Sequence, residues 1–129
     1  MTASTEIRGT ARLTVLDGRV EEFVRLLEQC VEVVRTKDPG TTEYAVYLGP
    51  DRRSAFVHER YRDSDAGLAH MENIAPLARA LSQVCTTVGE VCGDPEPALR
   101  SALEAAGVMI YAPAARPDPG DGWHSPAGP

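Results

Sequence analysis

Basic side chains are scarce in this 129-residue chain: lysine occurs once, at Lys37, and twelve arginines are outweighed by nineteen acidic residues, leaving a formal charge of −6. No cluster or stripe of positive charge tracks a phosphate backbone or an anionic bilayer surface, so neither nucleic acid nor a membrane is an expected partner. Long apolar runs are missing too. No segment approaches the ~20 apolar residues that span a bilayer, and the opening MTASTEIRGT has neither the charged start nor the apolar run of a signal peptide. A cytoplasmic location is the expectation. Cysteine is sparse: Cys30, Cys85 and Cys92 form an odd set with no C-x-x-C pair, which predicts reduced thiols used as small hydrophobes and neither a disulfide framework nor a metal site. There is no glycine-rich phosphate loop or dinucleotide fingerprint, so no nucleotide cofactor is expected, and there is no nucleophile elbow.

What is present is a 43% apolar composition in a length suited to one core. GTARLTVL (9–16) alternates like a half-buried strand, with Ala11, Leu13 and Val15 on one face. After the Asp17–Gly18 turn, Val20, Phe23, Val24, Leu27, Val31 and Val34 recur at three and four, which predicts a helix stopped by Pro39 and Gly40. TTEYAVYLG (41–49) and RSAFVHERY (53–61) read as a hairpin. Ser64 is the expected N-cap of a second helix, from about Asp65, which Pro76 should break or kink near Asn73 to Pro76. TTVGEVCG (86–93) is a fourth strand. A further helix over 95–106 is predicted with Asp94 as its cap and Pro95 in first position, and VMIYA is a candidate fifth strand. The tail from Pro113 holds five prolines and almost no apolar residues, and Trp123 sits in it; such a segment is expected to stay disordered or loosely draped. The domain reading is therefore one domain over 1–112 followed by a tail over 113–129.

The order strand, helix, strand, strand, helix, strand is the split βαβ pattern, an α+β, ferredoxin-like fold with helices on one face of an antiparallel sheet. Both alternations of the hairpin strands carry large apolar or aromatic residues, with Tyr44, Val46 and Leu48 against Ala45 and Tyr47. A sheet apolar on both faces needs a second layer, and the same face of another copy supplies it, so a homodimer closing toward an α+β barrel is expected.

The run from GTARLTVL through MENI resembles the antibiotic biosynthesis monooxygenase domain, a dimeric α+β barrel group that includes quinol monooxygenases. The resemblance lies in G-x-x-x-Y at Gly40 to Tyr44, in E-x-Y at Glu59 and Tyr61, and in the aspartate or serine at 63 or 64 followed by His70 on the next helix. It implies that Glu59 and Tyr61 face the helices and converge with His70 and Asn73 on a pocket, since Ala66, His70 and Asn73 share one helical stripe. In such a pocket His70 would be the base, Glu59 its orienting partner, and Tyr44, Tyr61 and Asn73 the groups that hold an aromatic or enolisable substrate. The resulting anion could react with dioxygen directly, without flavin or metal, if water is kept out. Haem degradation, found in some members, is not expected, because IAPLARALSQV after Asn73 lacks the later histidine those members use.

The same residues also admit structural roles. His70 could bond a backbone carbonyl at the helix kink, Glu59 could pair with Arg12 or Arg79, and the tyrosines could be core aromatics. A non-catalytic dimeric ligand-binding barrel and an isomerase or cyclase using the same pocket remain alternatives to the monooxygenase.

Overall fold

β1 (Ile7–Val15), α1 (Val20–Lys37), β2 (Thr41–Leu48), β3 (Ser54–Tyr61), α2 (Ser64–Leu81) and β4 (Cys85–Cys92) follow the expected order, and α3 (Pro97–Ala105) and β5 (Met109–Tyr111) extend it. The computed structural model describes residues 4–117; Trp123 and the rest of the tail beyond 117 lie outside the described residues. The sheet runs β2-β3-β1-β4-β5. Its first four strands pair antiparallel and β5 joins β4 in parallel, which requires the crossover that α3 provides. The fold is thus the ferredoxin-like α+β type with one strand added at the β4 edge. No helix among the described residues is long and apolar enough to cross a membrane.

Strand alternation decides what lies under the helices. Ile7, Leu13 and Val15 of β1, Val57 and Tyr61 of β3, and Cys85 and Val91 of β4 are buried. On the other face a row of register partners, Tyr47, Phe56, Arg12 and Val88, crosses the sheet, with Tyr47 60% and Val88 63% exposed. The core is in two parts. One joins Leu13, Phe23, Leu27, Val57, Leu81 and Val84; the other joins Ile7, Tyr61, Ala66, Val91, Leu99 and Leu103.

Three helix boundaries differ from the sequence expectation, each for a local reason. α2 is continuous through Pro76. A proline removes the hydrogen bond to the carbonyl four residues back, here that of Glu72, and both residues are exposed, so that carbonyl can be hydrated without breaking the helix. Its cap is Asp63, whose Oδ1 accepts from the Ala66 N–H at 2.9 Å, while the buried Ser64 Oγ accepts from the Glu96 N–H at 2.9 Å and so tethers the entry to α3. α3 begins at Pro97 rather than Pro95, because a residue before proline is driven out of the helical region and Glu96 is extended, at φ −67° and ψ 162°. The buried stripe of α1 is also rotated from the one expected. Phe23, Leu26, Leu27 and Cys30 are buried whereas Val31 is 40% exposed, since α1 packs on both the sheet and α2.

Candidate functional site

Between the two parts of the core lies a polar seam. Along β3 the inward positions are Val57, which belongs to the first cluster, then Glu59, then Tyr61, which belongs to the second. Register sets Tyr44 of β2 and Gly9 of β1 on either side of Glu59. Above this row α2 presents His70, one turn past Ala66, and Asn73 beyond it.

His70 is 5% exposed and is held from both sides. Its Nδ1 lies 2.6 Å from Asp38 Oδ2, and its Nε2 lies 3.1 Å from Glu59 Oε1. The Tyr61 hydroxyl donates to the same Glu59 oxygen at 2.6 Å, and Asn73 Nδ2 donates to Asp38 Oδ1 at 2.5 Å. The rings of Tyr44 and Tyr61 flank the imidazole, with centroids 5.5 and 5.2 Å away. All five residues picked from sequence thus belong to one network. Of the structural alternatives, pairing of Glu59 with arginine is not what the chain does: Arg12 lies over the Phe56 ring on the other face of the sheet, 4.5 Å from its centroid.

The residue that the sequence pattern did not mark is Asp38. It caps the C-terminal end of α1, its side chain only 1% exposed. A signal was available, since an acidic side chain at the negative end of a helix dipole is out of place unless something pairs with it. Gly40 explains how it reaches α2: a Cβ at that position would lie 2.5 Å from the Ala66 Cβ, so only glycine lets the chain leaving α1 approach the first turn of α2 this closely.

Electrostatics follow from burial and the two carboxylates. Burial pulls the His70 imidazole down, but the hydrogen bond and charge of Glu59, and then those of Asp38, outweigh it and raise its pKa above the ordinary histidine value. Burial and then the Glu59 charge push the Tyr44 and Tyr61 phenols up, so both stay neutral. Burial likewise pushes the Cys30 thiol up to about 11.

The convergence that the family resemblance implies for Glu59, Tyr61, His70 and Asn73 is drawn tight: Glu59 joins Tyr61 and His70 directly, and Asn73 reaches His70 through Asp38. Glu59, alone of the five, borders a cleft of about 1450 Å³ together with Gly9, Thr10, His58, Tyr111 and the tail residues Pro113, Arg116 and Pro117. Chemically the arrangement is a carboxylate that receives two donors on one oxygen, in a residue that borders the cleft.

The antibiotic biosynthesis monooxygenase family model matches residues 7–78. No curated protein matches the sequence significantly. Among solved structures, MupZ from Pseudomonas fluorescens superposes with a TM-score of 0.74 at 20% identity, covering 87% of this chain and 95% of that one. That coverage is more than β1 to β4 contain, so the likeness reaches into the α3–β5 extension. SnoaB, a cofactor-independent oxygenase from Streptomyces nogalater, superposes with a TM-score of 0.59 at 21% identity, covering 67% of this chain and 90% of that one. Rv0793 from Mycobacterium tuberculosis gives a TM-score of 0.62 at 18% identity, over 72% and 98%. At these identities the likeness to the three structures is one of fold.

Proposed function

The chain belongs to the antibiotic biosynthesis monooxygenase family, and from that footing we propose that it is a cofactor-independent monooxygenase acting on a phenolic, quinol or polyketide-like small molecule with dioxygen. The observation that carries this reading is the imidazole of His70 fixed between two carboxylates, one of which, Glu59, borders the cleft. Such a pair is suited to removing a proton from an acidic C–H or O–H group. The electron-rich anion then needs only dioxygen: an activated methylene gains one oxygen atom as a carbonyl while its two hydrogens leave with the other as water. Likeness in fold to SnoaB supports the reaction class. In this reading His70 and Glu59 handle the proton, Tyr61 and Asn73 anchor the two carboxylates, and Tyr44 packs beside the imidazole.

The working unit in this proposal is a cytoplasmic homodimer. The helix-free face of the sheet, with its Tyr47–Phe56–Arg12–Val88 row, is the surface that a second copy covers.

The packed interior favours one rival, a ligand-binding barrel without catalysis. Oxygen uptake separates the two. With a panel of hydroquinones and anthrones, the monooxygenase consumes dioxygen and places one atom from labelled oxygen gas in the product, and Glu59→Gln lowers the rate roughly 100-fold. Binding of a panel compound without uptake, in a protein that is fully folded, would establish the rival.

A further inference from the structure

Asp38 does more than pair a charge. A buried carboxylate at the C-terminal end of α1 is opposed both by desolvation and by the helix dipole, so its two donors, Asn73 Nδ2 and His70 Nδ1, are what make it tolerable there. An imidazole donating from Nδ1 keeps that proton in its neutral and its charged form alike, which leaves Nε2 as the only ring position that can gain or lose one. Nε2 is not open to a substrate either. It faces Glu59 Oε1, which already accepts the Tyr61 hydroxyl.

Glu59 Oε2 is placed differently. It lies beside Gly9, 3.5 Å from the point where a Cβ would stand, and both residues border the cleft. We infer that Asp38 is a positioning residue: it fixes His70 as a donor from Nδ1, and so makes Glu59, through Oε2, the group that takes the substrate's proton. The inference rests on the proton-abstracting function proposed above and reassigns the base within it. In that step the substrate's C–H or O–H bond breaks, its electron pair stays on the substrate, and an O–H bond forms at Oε2, while His70 and Tyr61 go on donating to Oε1. The groups facing the imidazole are Asp38 from the end of α1, Tyr44 from β2, and Glu59 and Tyr61 from β3, while Asn73 from its own helix donates to Asp38.

The test is NMR of the full chain carrying nitrogen-labelled histidine and carbon-labelled glutamate, beside oxygen-uptake kinetics. In the wild type, His70 Nδ1 is expected to stay protonated from about pH 6 to 9. Asp38→Asn should let the Nε2–H tautomer appear and move the His70 titration midpoint downward. On any compound the wild type oxidises, the same variant should lower kcat roughly 10- to 100-fold with KM little changed, as loss of an orienting partner does. The acid limb of kcat/KM in the wild type should not follow the His70 midpoint seen by NMR. An unprotonated Nδ1 in the wild type, or an acid limb coincident with that midpoint, would overturn the inference, and neither measurement needs the variant to fold. A wild type that takes up no oxygen yet shows this NMR pattern defeats the proposed function and still supports the positioning role of Asp38.

Discussion

Gly9 and Glu59 are register partners across the β1–β3 ladder, and the glutamate's Oε2 occupies space beside the β1 backbone that a side chain at position 9 would line. A Cβ there would meet Oε2 at 3.5 Å and the Glu90 carbonyl at 3.7 Å, both ordinary contacts. Glycine in a strand is therefore not required by packing at this position.

Gly9→Ala is accordingly expected to raise stability by about 0.5–1 kcal/mol, by removing the backbone freedom of glycine from the unfolded chain. It should lower oxygen uptake at the same time, because the methyl would stand 3.5 Å from Glu59 Oε2, the atom inferred above to take the proton. Urea denaturation and uptake rates check the two halves; a variant equally active and more stable would remove Gly9 from the access route.

Removing the imidazole and removing the cleft-side charge should differ sharply. His70→Ala strips Asp38, whose side chain is 1% exposed, of its cationic partner, and a buried pair broken in this way typically costs about 3–5 kcal/mol. Glu59→Gln keeps an acceptor for Tyr61 beside solvent and should cost about 1 kcal/mol. Comparing urea midpoints of the two variants tests this ordering.

Stability should also depend on pH through His70. Its folded pKa lies above the free value of about 6.5, so the folded state favours the imidazolium. The resulting stabilisation is complete below about 6.5 and is lost as pH rises through the folded pKa. Urea midpoints measured between about pH 6 and 9 should fall for the wild type and fall less for His70→Gln.

The exposed row across the free sheet face gives an assembly prediction. Val88→Arg places a second guanidinium beside Arg12, its register partner, in the middle of that row. Sedimentation velocity should show a dimer for the wild type and a monomer for the variant, with the fold unchanged by circular dichroism. A variant that stays dimeric would put the interface elsewhere.

The fold was legible because strand and helix periods place side chains without knowledge of tertiary contacts. Period two put Val57, Glu59 and Tyr61 on one face of β3, and spacing of four and three put Ala66, His70 and Asn73 on one side of α2. What could not be read depended on solvent or on distant neighbours. Whether Pro76 breaks a helix turns on which side Glu72 faces, and Asp38 joins the site only because Gly40 lets the end of α1 settle against Ala66. Nor does spacing, which brings side chains together, say whether their volumes fill the gap between them.

The Ser64 tether and the apolar side chains of α3 have one more bearing. Leu99 and Leu103 roof the half of the interior that holds Tyr61, and Tyr61 in turn grips Glu59. A shorter relative lacking this appendage would leave that phenol closer to water, where its grip on the acid competes with solvent and the local field is weaker. Length beyond the fourth strand thus tunes the polarity felt by Glu59 without contributing any atom to it.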